Sequence, residues 1–447
     1  PVIIRCMSDF LSRLKALGVQ VGMQNLPATP PRQDFPITKV VSGRIIESKV
    51  GPTFVIEQFY PKDYLHGLQP LALTASLEVV ARWAHAPNFA RMMPEALAFL
   101  DTETSGLAGG TGTYAFLVGV GRYEGDGFRL AQFFMRDPME EAAMLLALEE
   151  FLAPCQALVT FNGKSFDAPL LNTRYTLQGW RSPLRDLEHV DLLHLARRLW
   201  RDRMPSRTLG NLEVQILNTS RTAEEVPGWM IPEMYFDYVR TGDARPMKNV
   251  LYHNQIDVVS MAALLRHMAM LLTDPLATPN VDISELAALA RLYEELGEMD
   301  QAERFYCTCL ERGMPESLFW DSLERLSFLY KRGDRYELAI PLWEKAARQG
   351  LLYAHEELAK YYEHVQHDPT QALVWTQAAL DRLVERDAAT LPASTSKGVL
   401  IKHYHCASCG KRLADAPDQQ HTFHLDVELP EVAPFDVELT LPVHRCA

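Results

Sequence analysis

Residues 99–107 read Phe99-Leu100-Asp101-Thr102-Glu103-Thr104-Ser105-Gly106-Leu107. They close an apolar run that begins at Ala96 and turns polar at Asp101. A short apolar run of this kind reads as a buried strand. On a strand, residues i and i+2 share a face, so Asp101 and Glu103 can converge on one hard cation. No fold requires two like charges side by side, because unpaired carboxylates repel. A lone Asp-x-Glu is a weak signal. Set after a buried strand and followed by Thr-Ser-Gly-Leu, it is a stronger one.

The pattern around this segment is α/β. Residues 113–123 and 128–135 read as two further strands across the turn Glu124-Gly125-Asp126-Gly127. Residues 138–153 have helical spacing, 157–163 read as a fourth strand, 166–177 as a helix, and 189–193 as a fifth strand. A long apolar-periodic helix covers about 248–272. Three strands in succession, then alternation with helices, predict a mixed five-stranded sheet flanked by helices over residues 96–275. Upstream, 1–36 read as a short amphipathic helix (8–18) and a Pro-rich linker (24–36). Residues 37–95 read as an extension carrying a β-hairpin, with strands at 40–47 and 53–59.

Downstream the texture changes. Residues 289–306, 326–343 and 358–375 align with one another, Tyr293 matching Tyr330 and Ala302 matching Ala339 and Ala372. Such a repeat predicts paired helices over 284–390. The alternative is a helical bundle without a repeat. The tail, 391–447, opens on a small polar linker and carries two alternating segments, 423–429 and 435–441, that read as strands.

Length and composition bound these readings. The chain has 447 residues, 47% hydrophobic and 23% charged, which is ordinary globular usage. The net charge of −13 excludes a basic surface that wraps nucleic acid as a whole, though not a local basic groove. No run of eighteen apolar residues appears, so no membrane partner is expected. Seven cysteines and no visible secretory signal favour a reducing cytoplasm. The sequence starts at Pro1, and Met7 is a candidate start.

Two more acidic positions stand out. Asp167, in Phe161-Asn162-Gly163-Lys164-Ser165-Phe166-Asp167, opens a helix, where the ordinary role of an Asp is an N-cap. His253 and Asp257 are i and i+4 on the long helix and share a face, as a surface pair would. At about 100° per residue, His253 lies about 40° from Asp257 and Tyr252 about 140° away. His253 is therefore the candidate base. Asp191, in a short apolar run, is expected to make structural hydrogen bonds.

Taken in order and in context, Asp101, Glu103, Asp167 and Asp257 resemble the DEDD superfamily of 3′–5′ exonucleases. The chain is more closely similar to the YprB family, which joins a ribonuclease-H-like domain to tetratricopeptide repeats. The resemblance rests on residues 99–121, 158–175 and 250–264 and covers about 35–380. It implies a ribonuclease-H-like (DnaQ-type) α/β fold and an all-α repeat domain. It also implies two-metal phosphodiester hydrolysis with Mg²⁺ or Mn²⁺. Asp101 would bridge the ions, Glu103 and Asp257 would complete one site, and Asp167 would support the other. The superfamily places Tyr four, or His five, residues before its last Asp. Here His253 is four before, a mixture of the two patterns. Single-stranded RNA or DNA is the implied substrate. Thr102, Thr104, Asn162 and Phe166 are its candidate contacts, and Arg197, Arg198 and Arg201 its candidate phosphate-backbone cluster. Phe166 as core and the arginines as a solvated helix face are the plain alternatives.

Gly163-Lys164-Ser165 is no phosphate loop, since Leu158 stands where a Gly is required. Cys406 and Cys409, with Cys446 and nearby histidines, are a candidate Zn²⁺ site, although a second Cys-x-x-Cys is missing. The expected function is a metal-dependent exonuclease with a repeat arm for a protein partner. A non-cleaving nucleic-acid scaffold and a structure-dependent endonuclease are the competing readings.

Overall fold

The computed structural model describes residues 35–106, 112–222, 224–275 and 281–390, with short strands at 403–405, 422–427 and 435–439. At its centre is β5 (Leu97–Thr104). Leu97, Ala98, Phe99 and Leu100 are fully buried, and the strand becomes half-exposed from Asp101 onward. The cause is the pairing on its two sides. The parallel neighbour, β8 (Ala157–Thr160), accompanies β5 only through Phe99. The antiparallel neighbour, β6 (Ala115–Glu124), continues to Thr104 across a bulge at Glu103/Thr104. Asp101 and Glu103 thus emerge at the carboxyl end of a central strand, where open α/β sheets place their ligand crevices.

The sheet has seven strands, not five. Its order is β1-β2-β7-β6-β5-β8-β9, with β1 Arg44–Ser48, β2 Gly51–Pro61, β7 Gly127–Phe134 and β9 Glu188–Asp191. The hairpin expected as a separate extension adds the two extra strands. β2 pairs antiparallel with β7 from Phe54↔Phe134 to Pro61↔Gly127. Phe54, Val55 and Ile56 are buried there. A small hairpin, β3 (Leu65–His66) and β4 (Gln69–Pro70), follows.

Helices cover the sheet. They are α1 (Glu141–Leu152), α2 (Asp167–Leu177), α3 (Leu192–Trp200), α4 (Ile231–Thr241) and α5 (Met247–Thr273). Among the described residues α5 alone is long and apolar enough to cross a bilayer, and Val258, Val259, Met261 and Leu264 on it are fully buried in the protein core.

A helical region follows: α6 (Ile283–Glu295), α7 (Met299–Arg312), α8 (Glu316–Arg332), α9 (Tyr336–Arg348), α10 (Leu352–His364) and α11 (Pro369–Thr390). Ala302, Ala339 and Ala372, matched in the sequence, are all buried. The chain divides into two compact units, Pro1–Leu329 and Tyr330–Ala447, so α6 and α7 belong with the sheet. Within the second unit, strands β10 (His403–His405), β11 (Thr422–Val427) and β12 (Phe435–Leu439) form an antiparallel sheet. The expected N-terminal helix at 8–18 lies outside the described residues, as do Cys406, Cys409 and Cys446.

Candidate active site

The end of β5 meets α5 and the start of α2. From α5, Asn254 is fully buried and donates through Nδ2 to Asp101 Oδ2 (2.9 Å) and to the Asp101 carbonyl oxygen (3.2 Å). Its own Oδ1 accepts from Gln132 Nε2 on β7 at 2.9 Å. Asn254 reaches the sheet because Gly119 stands beneath it, directly opposite both Asp101 and Gln132 in the strand register. A Cβ at Gly119 would collide with the Asn254 amide.

From α2, Asp167 Oδ1 accepts a hydrogen bond from the Thr102 hydroxyl. Asp167 is buried and opens the helix. Thr102, Thr104, Thr113, Phe166, Asp167 and Thr173 line a cleft of about 330 Å³. Phe166 is 58% exposed at its edge, so it is not core. Asn162 adopts the left-handed backbone conformation, φ 70°. Its N–H donates to Asp191 Oδ1 (2.8 Å), and Lys164 N–H donates to Asp191 Oδ2 (3.0 Å). Asp191 also caps α3 through Leu193 N–H. With all of these taken, Asp191 is a clamp on the 162–164 turn.

His253 turns toward the carboxylates. Its Nε2 is 3.7 Å from Glu103 Oε1 and 3.5 Å from Asp257 Oδ2. Its Nδ1 is 2.6 Å from Glu225 Oε1. Nδ1–H donating to Glu225 leaves Nε2 as the acceptor facing the site. Tyr252 turns away, and its hydroxyl accepts from Thr222 N–H.

The electrostatics follow from crowding. Burial, then the charges of Asp257, Glu103 and Asp167, hold the Asp101 carboxyl well above the usual range. Burial and the charges of Asp257, Asp167 and Glu225 do the same to Glu103, against the pull of Arg221. Burial pushes Asp167 up to about 6 despite the Thr102 hydroxyl. Asp257 is also raised by burial, with His253 and Arg221 opposing. Glu225 Oε2 is buried with no hydrogen-bond partner among the described residues. Oxygen donors short of positive charge suit a hard divalent cation. Among the described residues, however, no three His, Cys, Asp or Glu side chains already stand in a metal-holding arrangement.

Sequence reasoning missed Arg221 and Glu213. Glu213 is fully buried in the π-helical turn Glu213–Leu217, and Arg221 joins it to Asp257. No periodic or motif signal marks either. Three arginines of the basic cluster pair with acidic side chains. Arg198 pairs with Glu295, and Arg203 with Glu285 (2.5 Å), both on α6. Arg201 pairs with its neighbour Asp202 at 3.2 Å, and Arg197 is exposed.

Residues 98–269, from β5 to α5, match the RNase_H superfamily. The uncharacterized protein YprB of Bacillus subtilis (strain 168) is 36% identical over 356 residues, 77% of this chain and 83% of that protein. Among solved structures, the family B DNA polymerase of the hyperthermophilic archaeon Pyrobaculum calidifontis aligns at 16% identity and a TM-score of 0.31. The match covers 47% of this chain and spans 29% of that polymerase, a likeness too slight to carry anything over.

Proposed function

The chain belongs to the YprB family and carries an RNase H-like domain, and from this premise we propose that it is a metal-dependent nuclease, a 3′–5′ exonuclease on single-stranded nucleic acid. The observation that carries the reading is the convergence of Asp101, Glu103, Asp167 and Asp257, each pushed toward protonation by burial and by its acidic neighbours. A fold gains no stability from such crowding. Charge placed against stability marks a site of function.

Asp101, Glu103 and Asp257 would hold one Mg²⁺ or Mn²⁺, and Asp101 with Asp167 a second. Bound there, the ions would lower the pKa of a water and neutralise charge on the leaving oxygen. The chain's own residues do the rest. Asn254 fixes the rotamer of Asp101. Thr102 orients Asp167. His253, oriented by Glu225, accepts the water's proton at Nε2. Exposed Phe166 offers a face on which the terminal base stacks in the cleft. The helices from α6 onward are read as tetratricopeptide repeats that dock a protein partner, supported by the buried alanines at matched positions.

The test is 5′-labelled single-stranded RNA and DNA incubated with Mg²⁺, Mn²⁺ or EDTA, alongside Asp101→Ala. A ladder shortening from the 3′ end, dependent on metal and lost in the variant, is the expected result and selects the sugar. Binding without cleavage in every metal would instead favour the scaffold reading.

A further inference from the structure

The candidate site already contains a positive charge of its own. Arg221 Nε and Nη2 form a two-pronged bridge to the fully buried Glu213 carboxylate, at 2.6 and 2.8 Å. Nη1 reaches Glu225 Oε1 at 2.6 Å and lies 3.2 Å from His253 Nδ1. Nη2 also bridges to Asp257 Oδ1. The guanidinium is therefore held by three carboxylates and tethered by Glu213. Asp257 has one oxygen on Arg221 and the other 3.5 Å from His253 Nε2. On the opposite side, Asp101 is met only by a neutral amide, that of Asn254. Of the four proposed ligands, Asp257 is the one that the guanidinium bridges. An arginine stays protonated across the accessible pH range, so pH does not relieve this arrangement.

We propose that Arg221 is a resident counter-cation that competes with the divalent ion for Asp257, so that metal entry requires the guanidinium to release Asp257 while Glu213 retains it. The proposal rests on the metal-dependent reading above. It makes Arg221 a positioning residue that sets the metal concentration at which the site assembles. The rival role, in which Arg221 presents Asp257 to the metal, has the opposite consequence for affinity.

Mn²⁺ binding by calorimetry and by the loss of the free-ion electron-spin signal separates the two, using the full chain. Arg221→Met alone would leave Glu213 buried and unpaired, so it is combined with Glu213→Gln to remove the buried pair together. Arg221→Lys is the second variant. It keeps a charge beside Glu213 but cannot span Glu213 and Asp257 at once. The expected result is that Mn²⁺ binds the double variant at least about tenfold more tightly than the wild type, because the pair leaves without net change of charge and Asp257 no longer has a guanidinium to shed. Arg221→Lys should shift the same way by less. Equal or weaker binding in both variants overturns the proposal while leaving the metal-dependent reading intact. Absence of binding in wild type and variants alike overturns both.

Discussion

Asn254 lies over Gly119 and bonds to the residues on either side of it, Asp101 on β5 and Gln132 on β7. One amide thereby ties β5 and β7, across the intervening β6, to α5. Gly119→Ala should break this tie, since the added methyl collides with the amide. Overpacking of this kind costs about 1–3 kcal/mol. Urea unfolding should register that loss together with weaker Mn²⁺ binding. A variant with wild-type values for both would show that the amide can move aside.

Asp101→Asn should raise the stability of the metal-free protein while abolishing cleavage. The substitution removes one of four carboxylates that raise one another's proton affinity. A gain of about 1–2 kcal/mol is expected from relieved repulsion. Thermal melting in EDTA is the check, and a lower melting temperature for the variant would contradict it.

Two histidines away from the carboxylates should make the fold sensitive to acid. Burial, reinforced by Lys164, lowers His189 to about 4, and burial, reinforced by Arg203 and Arg266, lowers His267 to about 4. In the unfolded chain both take up a proton near 6.5. The unfolded state therefore binds more protons between about pH 6.5 and pH 4, and stability falls as pH drops through that window. Above it their contribution is constant. The raised carboxylates give the opposite slope, so the readout is the difference between wild type and a His189→Asn/His267→Asn variant. That variant should lose about 4 kcal/mol less on going from pH 7 to pH 5, about half from each histidine. Parallel curves would rule the histidines out.

Glu285 is 2% exposed and accepts from Trp200 Nε1 (2.6 Å), Arg203 Nη1 (2.5 Å) and Asp282 N–H (2.9 Å). Glu285→Ala would strand all three donors at the contact between α3 and α6. A loss of about 3–5 kcal/mol is expected, read from the denaturation midpoint. Cleavage per folded molecule should be unchanged, because none of these groups touches the carboxylates. A variant with lost activity and full stability would return the basic cluster to the substrate.

What the sequence made legible was local. Asp101 with Glu103, and His253 with Asp257, follow from periodicities of two and four residues. The same helical arithmetic would have found Asn254, which lies about 60° from Asp257 around α5. The five strands β5 to β9 are legible because each apolar run is short and bounded by turns. The full sheet is not, because nothing in Phe54-Val55-Ile56 names its partner. That pairing is with residues 132–134. Glu213 and Arg221 are hidden for a related reason. They come from a π-helical turn and the chain after it, and their meaning exists only once α5 is packed beside them.

The β2–β7 pairing also sets an order of events during synthesis. β2 leaves the ribosome with Phe54, Val55 and Ile56 in a row, and its apolar length has only the short strand β1 to pair with. It must wait until residue 134 has been made, with the whole of β5 and β6 emerging in between. Contacts this far apart along a chain form slowly and leave sticky edges uncovered meanwhile. The nascent protein should therefore depend on chaperones most acutely before the second antiparallel partner of β2 exists, a vulnerable interval that ends only when β7 pairs with β2.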